Sequence, residues 1–228
     1  MKKMIALAMA MTMGLSLVAC GSSDTAASTD TAAETTEAAD TAEETEVPSA
    51  GGSYTIGICQ LVQHEALDAA TQGFKDAIVE ALGEDAVTFD EQNAQGDSNT
   101  CATIINGFVA EDADLILANA TAALQAAQAG TSEIPILGTS VTEYGVALGI
   151  DGFDGTVGGN ISGTSDLAPL TEQAAMLNEL FPDAKNVGLL YCTAEANSQY
   201  QVDEVQKALE GMGYTCKQYG FSDSNDLS

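Results

Sequence analysis

Residues 54–68 read YTIGICQLVQHEALD, a short apolar run that turns polar at Gln60. Apolar residues then recur at helical spacing, at Leu67, Ala70, Phe74, Ala77 and Ala81. This pattern predicts a strand, a tight polar turn and a helix. In an open parallel sheet, such a turn lies at the carboxyl ends of the strands, where helix amino-termini converge and ligands bind. We therefore expect a small-molecule site near Gln60 and His64.

The same alternation continues through a first lobe, which we place at residues 53–150. Apolar runs predict further strands at residues 86–89, 114–118 and 134–138. A helix capped by Asp97 or Ser98 follows the second strand, and residues 122–129 form an Ala-rich helix. Because the elements alternate with short connections, we predict an α/β fold with a doubly wound parallel sheet and right-handed crossovers.

Each predicted strand of this lobe ends in uncharged polar residues. They are Gln60, then Gln92 and Asn93, then Asn119 and Thr121, and finally Thr139 and Ser140. One such residue after a strand is typical of an ordinary turn. Repeated at the carboxyl ends of parallel strands, they predict a row of amide and hydroxyl side chains along one edge of the sheet, able to bind a small polar molecule.

A Gly-rich segment at residues 151–166 predicts a crossing between two lobes, since glycine permits sharp turns of the backbone. It carries neither a dinucleotide fingerprint nor a phosphate-binding loop. The second lobe, residues 167–228, restarts the pattern with a helix at 167–181, strands at 187–191 and 214–220, and a helix capped by Asn197 or Ser198. Two strands with one crossover leave open edges, so we expect this lobe to be incomplete and the chain to be a fragment.

The amino-terminal residues 1–20 have the proportions of a secretory signal. Lys2 and Lys3 precede an apolar run that is too short for a membrane span, and Leu17-Val18-Ala19-Cys20 forms a lipobox. We predict lipidation at Cys20, which anchors the protein to a membrane; the alternative is an ordinary signal peptide with a chance cysteine. Residues 21–52 contain acids but neither Lys nor Arg, which predicts a disordered acidic tether, with an Ala/Glu-rich helix as the alternative.

The overall charge and the scarcity of histidine exclude several classes of function. A formal net charge of −28 argues against nucleic acid or anionic lipid as a partner. The acids are scattered and His64 is the single histidine, so we predict neither a metal site nor a cofactor. No G-x-S-x-G nucleophile elbow accompanies His64. We expect His64 to contact a ligand or cap a helix rather than act as a general base, and we expect no enzyme.

Four cysteines remain after Cys20: Cys59, Cys101, Cys192 and Cys216. An exported chain is able to form disulfides, and four cysteines allow three connectivities. We argue against a Cys192–Cys216 pair, because these residues lie at opposite ends of neighbouring parallel strands. The other interpretation of all four is as small buried apolar residues.

Several ordered motifs in residues 54–228 point to one family. They are residues 56–68 with Gly73-Phe74, then 92–97, 134–136, 163–167, 189–191 and 195–198. With the lipobox and the tether, they resemble type I solute-binding lipoproteins of ABC importers, and more narrowly the tryptophan/tyrosine ABC transporter substrate-binding family. The resemblance implies two lobes like those of type I periplasmic binding proteins, and a fold that continues past residue 228.

The resemblance also implies a ligand held between the lobes by residues at strand exits. The residues that the resemblance implies are Gln60, His64, Thr121, Ser140, Glu195 and Asn197. We add Asn93 and Ser198, which also lie at polar strand exits, as candidate ligand-binding residues. An amino-acid-like zwitterion needs donors for its carboxylate and an acid such as Glu195 for its ammonium. An aromatic side chain would stack on Tyr144, Phe153 or Tyr191.

We therefore expect an extracytoplasmic binding protein that closes by a hinge at residues 158–166 and delivers its ligand to an ABC permease. Two alternatives come from other classes. One is a surface ligand sensor that acts on a signalling partner, and the other is a secreted hydrolase on the same fold.

Overall fold

The computed structural model describes residues 53–222. The predicted signal sequence, lipidation at Cys20, the tether and residues 223–228 lie outside this range. None of the helices described combines the length and the apolar character that a bilayer crossing requires.

The first lobe is built on a five-stranded parallel sheet in the order β2-β1-β3-β4-β5. The strands are β1 Tyr54–Gln60, β2 Val87–Asn93, β3 Leu115–Asn119, β4 Ile136–Val141 and β5 Ile161–Ser165. The first four agree with the sequence prediction to within a few residues. The predicted α/β class with parallel strands is confirmed.

Helices cover both faces of this sheet. They are α1 Glu65–Leu82, α2 Ser98–Ala110, α3 Thr121–Gly130 and the short α4 Tyr144–Leu148, with a 3-10 turn at Glu84–Ala86. Phe74 of α1 packs on Ile56 and Ile58 of β1. Cys59, whose side chain points the other way, belongs to a second core with α2 and α3. The sheet is therefore buried between two helical layers at β1.

The predicted inward face of α1 needs correction, whereas the predicted cap of α2 is confirmed. Leu67 and Phe74 lie on the inward face of α1 as predicted, but Ala77 and Ala81 are exposed, because that face continues through Ile78 and Leu82. The carboxylate of Asp97 accepts the N–H of Asn99 at 2.8 Å, which confirms Asp97 as the cap of α2.

The segment predicted as an inter-lobe crossing at residues 151–166 contains strand β5, which the sequence did not predict. Only Ile161 of this strand is buried, so its sequence lacks the apolar pattern by which a strand is recognised. The chain passes from the first sheet to the second lobe through residues 166–169.

The second lobe contains α5 Leu170–Leu180, β6 Asn186–Cys192, α6 Ala196–Gly211 and β7 Thr215–Phe221, with β6 and β7 parallel. Its core is formed by Ala174, Leu209 and Tyr214. Leu190 and Tyr219 remain 65% and 49% exposed on the other face of the two-stranded sheet. The lobe is thus incomplete within the described residues, as predicted.

Some details of this lobe differ from the sequence expectation. Leu167 and Phe181, the ends of the helix predicted at 167–181, lie outside α5 and are exposed, because α5 is shorter than the apolar periodicity indicated. Glu195, and not Asn197 or Ser198, is the cap residue of α6. Cys192 is in register with Phe221, at the far end of β7 from Cys216, which confirms that these two cysteines do not pair.

Candidate functional site

The carboxyl ends of the first-lobe strands form one continuous edge. Gln60 at the end of β1 is in register with Asn93 of β2 and Asn119 of β3, and Asn119 is in register with Thr139 of β4. This confirms that the polar strand exits share one edge of the sheet. It does not mean that all of their side chains face the same space.

Gln60 lies beneath helix α1 and does not line a cavity at this edge. It is 4% exposed, and its Nε2 donates to the carbonyl of Val62 at 2.9 Å and to Asp68 at 2.6 Å. Its Oε1 accepts the hydroxyl of Thr71 at 2.7 Å. Since these partners engage both ends of the amide, the structure assigns Gln60 a role in attaching α1 to the sheet.

Asn119 completes this buried network. Its Nδ2 donates to the carbonyl of Leu67 at 2.8 Å and to the hydroxyl of Thr71 at 2.9 Å. Asn93 also turns away from the edge, because its Oδ1 accepts the N–H of Gln95 at 2.9 Å and stabilises the turn after β2. Gln60 and Asn93 were both predicted to bind a ligand, and neither faces the inter-lobe cavity described next.

A cavity of about 290 Å³ lies between the two lobes at the same edge, near the lower end of the size range of ligand pockets. It brings together five of the predicted site residues, namely His64, Thr121, Ser140, Glu195 and Asn197. The first three belong to lobe one and the last two to lobe two. Its other walls are Leu61, Val62, Leu67, Ala120, Ala122, Gln125, Ala194 and Ala196.

The amino-terminus of α3 faces this cavity with a strained backbone. Ala120, which precedes the helix, has φ 99° and ψ 160°, a conformation that normally requires glycine. No side chain caps the helix there. The first N–H groups of α3 therefore lack intrahelical partners and carry the positive end of the helix dipole, which suits an anionic group.

Ser140 is the second strained residue at the cavity. It has φ 53° and lies where the pairing of β4 with β5 shifts register between Gly138 and Val141. The irregularity lets the strand end bend, as such bulges do beside binding sites. Ala120 and Ser140 thus store backbone strain at adjacent strand exits, both on the cavity wall.

The second lobe contributes the amino-terminus of α6. Glu195 precedes this helix without a capping hydrogen bond from its side chain, and its Oε2 accepts the hydroxyl of Ser198 at 2.9 Å. Ser198 itself lines a separate hollow of about 590 Å³ on the second lobe, together with Tyr191 and Glu195. Ser198 therefore contacts Glu195 without lining the inter-lobe cavity itself.

His64 caps helix α1. Its Nδ1 accepts the N–H of Ala66 at 3.2 Å, while the ring lines the cavity. The expectation that this histidine caps a helix is confirmed.

The aromatic residues considered for stacking do not line the inter-lobe cavity. Tyr144 and Phe153 border another hollow, of about 410 Å³, beside β5. The hydroxyl of Tyr144 donates to the carbonyl of Thr164 at 3.2 Å. Burial, together with the charge of Asp166, raises the pKa of Tyr144 to about 12. Neither this hollow nor the one beside Tyr191 combines polar strand exits of the first lobe with those of the second, so we take the inter-lobe cavity as the candidate site.

Sequence reasoning missed Gln125 and Ala120 as cavity residues. Gln125 follows Thr121 by one helical turn, so its position could have been found from helical spacing. Ala120 has no such signal, because alanine does not mark a positive φ. Within residues 53–222, His, Cys, Asp and Glu side chains form no group of three that could hold a metal ion.

Comparisons with known proteins cover most of the described chain. The family described as ABC transporter substrate binding protein matches residues 55–228. A curated tyrosine-binding protein of Clostridioides difficile (strain R20291) is 38% identical over 175 residues, which are 76% of this chain and 50% of that protein. The chain therefore spans about half the length of that relative.

Solved structures agree in fold. An ABC domain from Streptococcus pneumoniae in complex with L-Trp has a TM-score of 0.72 at 30% identity, covering 77% of this chain and 60% of that one. A ligand-free, open substrate-binding protein with adhesive properties from Clostridium difficile has a TM-score of 0.56 at 38% identity, covering 76% and 59%. A leucine-binding protein from Thermotoga maritima, at 14% identity and a TM-score of 0.59, shares the fold alone.

Proposed function

The chain belongs to the family of ABC transporter substrate-binding proteins, and from this premise we propose that it binds a small zwitterionic amino acid between its lobes and delivers it to a membrane permease. Its fold is part of the type I periplasmic-binding-protein fold. The observation that carries the proposal is the inter-lobe cavity, into which both lobes bring polar side chains and an uncapped helix amino-terminus.

The cavity offers complementary charge at two ends. The amino-terminus of α3, next to Thr121 and Ser140, would take the ligand carboxylate through backbone N–H groups and hydroxyls. The carboxylate of Glu195 would take the ammonium group, and Ser198 holds it by a hydrogen bond of 2.9 Å. Leu61, Val62 and Leu67 give an apolar wall for a side chain.

An aromatic amino acid is our first choice of ligand. The relatives above include a tyrosine-binding protein and an L-Trp complex. We propose that His64 contributes a ring face to such a ligand rather than proton transfer, because its Nδ1 is already the acceptor that caps α1. We propose binding without turnover.

Isothermal titration of the purified protein with L-Tyr, L-Trp, L-Leu and the corresponding decarboxylated amines and deaminated carboxylic acids tests the proposal. We expect saturable binding of at least one amino acid and loss of binding when either charged end is removed. Glu195→Gln should weaken binding about 10- to 100-fold, since a hydrogen bond to a charge is worth about 1.5–3 kcal/mol. Glu179→Gln, at an exposed carboxylate of α5, is the matched control.

Absence of binding by every amino acid would contradict the ligand class. Equal affinities of the Glu195→Gln and Glu179→Gln variants would contradict the role of Glu195. Delivery to a permease is tested separately, by uptake of the labelled ligand in cells that lack the gene.

We further propose that Cys20 carries the lipid anchor and that residues 21–52 hold the lobes away from the membrane. The support is the lipobox that follows an apolar run of signal-peptide length. Metabolic labelling with a fatty acid should mark the protein, and Cys20→Ala should abolish both the label and the membrane association. Labelling that persists in the variant would contradict the assignment.

A further inference from the structure

Two cysteines of the first lobe meet in its core. Cys59 lies in β1 and Cys101 in the first turns of α2; both are 0% exposed and belong to the same apolar cluster. Helix α2 lies directly on β1, because a Cβ on Gly57 would come within 2.5 Å of the Phe108 ring. Cys101, Ile105 and Phe108 form the buried face of the helix.

Both residues are free thiols in this structure, and their side chains are close enough to share a hydrogen bond. The hydrogen bond with Cys101, together with burial, raises the pKa of Cys59. The same bond lowers the pKa of Cys101. Sulfur atoms within hydrogen-bonding reach of each other form a disulfide when they approach to the bonding distance of about 2.05 Å.

We infer that Cys59 and Cys101 form a disulfide bond when the chain folds outside the cytoplasm, and that this bond fastens α2 to β1. The inference uses the extracytoplasmic location of the proposed function, because disulfides persist in oxidising compartments. It does not depend on the ligand, so its test is independent of any binding measurement.

The oxidant is the disulfide of an extracytoplasmic thiol–disulfide oxidoreductase. The thiolate of either cysteine attacks one sulfur of that disulfide, which forms a mixed disulfide and releases one thiol of the oxidant. The thiolate of the other cysteine then attacks the sulfur of the first and releases the second thiol of the oxidant. The chain loses two electrons and two protons, and the oxidant gains both. Since neither cysteine is exposed in the folded lobe, the exchange takes place before α2 docks on β1.

The test begins with the unsubstituted full chain, reduced and unfolded, and then refolded with oxidised glutathione as the oxidant. The sample is quenched in acid, digested with pepsin and mapped by mass spectrometry. We expect a peptide pair joined through Cys59 and Cys101. Alkylation of both residues after unfolding, glutathione adducts alone, or a link from either residue to Cys192 or Cys216 would overturn the inference.

A second measurement needs the melting temperature, Tm. We expect the oxidised chain to melt roughly 5–10 °C above the reduced chain, because a cross-link of this span stabilises a domain by limiting its unfolded state. The control variant Cys192→Ala/Cys216→Ala should keep this difference, and Cys59→Ala/Cys101→Ala should lose it. An equal Tm in both redox states of the control would overturn the claim that the bond fastens α2. The peptide map uses the unsubstituted chain, so it tests the inference even if the Cys59→Ala/Cys101→Ala variant does not fold.

Discussion

The hydroxyl of Thr71 donates a hydrogen bond of 2.7 Å to the Oε1 of Gln60, which ties the middle of α1 to the end of β1. Thr71 in turn accepts the Nδ2 of Asn119 at 2.9 Å, so one hydroxyl connects two neighbouring strand ends. Both amides are buried, and their network positions the helix that carries Leu67 and His64 to the cavity wall.

Replacing Asn119 by leucine should destabilise the first lobe. The variant keeps a similar volume but removes the two hydrogen bonds that Nδ2 donates to the carbonyl of Leu67 and to the hydroxyl of Thr71, which together are worth about 1–3 kcal/mol. We expect the free energy of unfolding in urea to fall by that amount. Asn93→Ala, at a strand end that only stabilises an exposed turn, should cost less than about 1 kcal/mol. Equal losses in the two variants would show that the buried network does not hold α1.

The Gln60 network also shows what the sequence could and could not predict. Apolar periodicity was enough to place β1 and α1, and the parallel arrangement of the strands followed from the alternation of strands and helices. Gln60 was expected in the ligand site because it ends a strand, but whether such a side chain turns toward the cavity or under a helix depends on its partners. Thr71, a polar residue on the inward face of α1, was the signal for a buried partner.

Three other residues of the polar strand exits lie on the cavity wall. Thr121 and Glu195 stand at helix amino-termini, two and three positions beyond β3 and β6, and Ser140 lies at the irregularity near the end of β4. Their contact with a ligand stays a prediction. Strand β5 was missed because Ile161 is its one buried residue, and tertiary pairing with β4 rather than local pattern makes it a strand. Backbone strain at Ala120 also depends on tertiary structure, so no composition rule could have indicated it.

Substituting glycine for Ala120 should stabilise the protein. Ala120 has φ 99°, where a Cβ is strained, so removing it should raise the free energy of unfolding by about 1 kcal/mol. The same change at Ala102, an exposed position within α2, should lower it by about 1 kcal/mol, because glycine disfavours a helix interior. Urea unfolding of the two variants measures both. A loss of stability in Ala120→Gly would contradict the strained backbone at the amino-terminus of α3.

Stability should fall between pH 10 and 12 through Tyr144. Burial and the charge of Asp166 raise its pKa from 10.0 to about 12, so the folded state retains a proton that the unfolded state loses. The contribution of Tyr144 to the free energy of unfolding is complete below pH 10 and is lost as the pH rises to 12. We expect the free energy of unfolding to decrease by about 2 kcal/mol over this range.

Urea unfolding at intervals from pH 9 to pH 12 measures this decrease. Tyr144→Phe should be less stable at pH 9, because it lacks the hydrogen bond to Thr164, and should show a shallower fall with pH. Absorbance of tyrosinate at 295 nm gives an independent readout of the same ionisation. Parallel pH profiles for the two proteins would contradict the shift.

Alanine at Gly163 should strongly destabilise the strand that leads out of the first lobe. Gly163 has φ 155°, and a Cβ there would overlap the backbone of Gly138 and the hydroxyl of Tyr144. Because β4 cannot move away without breaking its pairing with β5, we expect a loss of about 2–4 kcal/mol in the free energy of unfolding.

The matched substitution is Gly73→Ala, within α1, where no heavy atom lies within 4 Å of the added Cβ. It should raise the free energy of unfolding by about 0.5–1 kcal/mol, since alanine favours a helix over glycine. The same substitution should therefore lower the free energy of unfolding at Gly163 and raise it at Gly73. The difference between the two variants isolates the contact between β4 and β5 from the general effect of adding a methyl group. A Gly163→Ala variant as stable as the unsubstituted chain would mean that β5 does not pair closely with β4, and that the passage to the second lobe begins before Ile161.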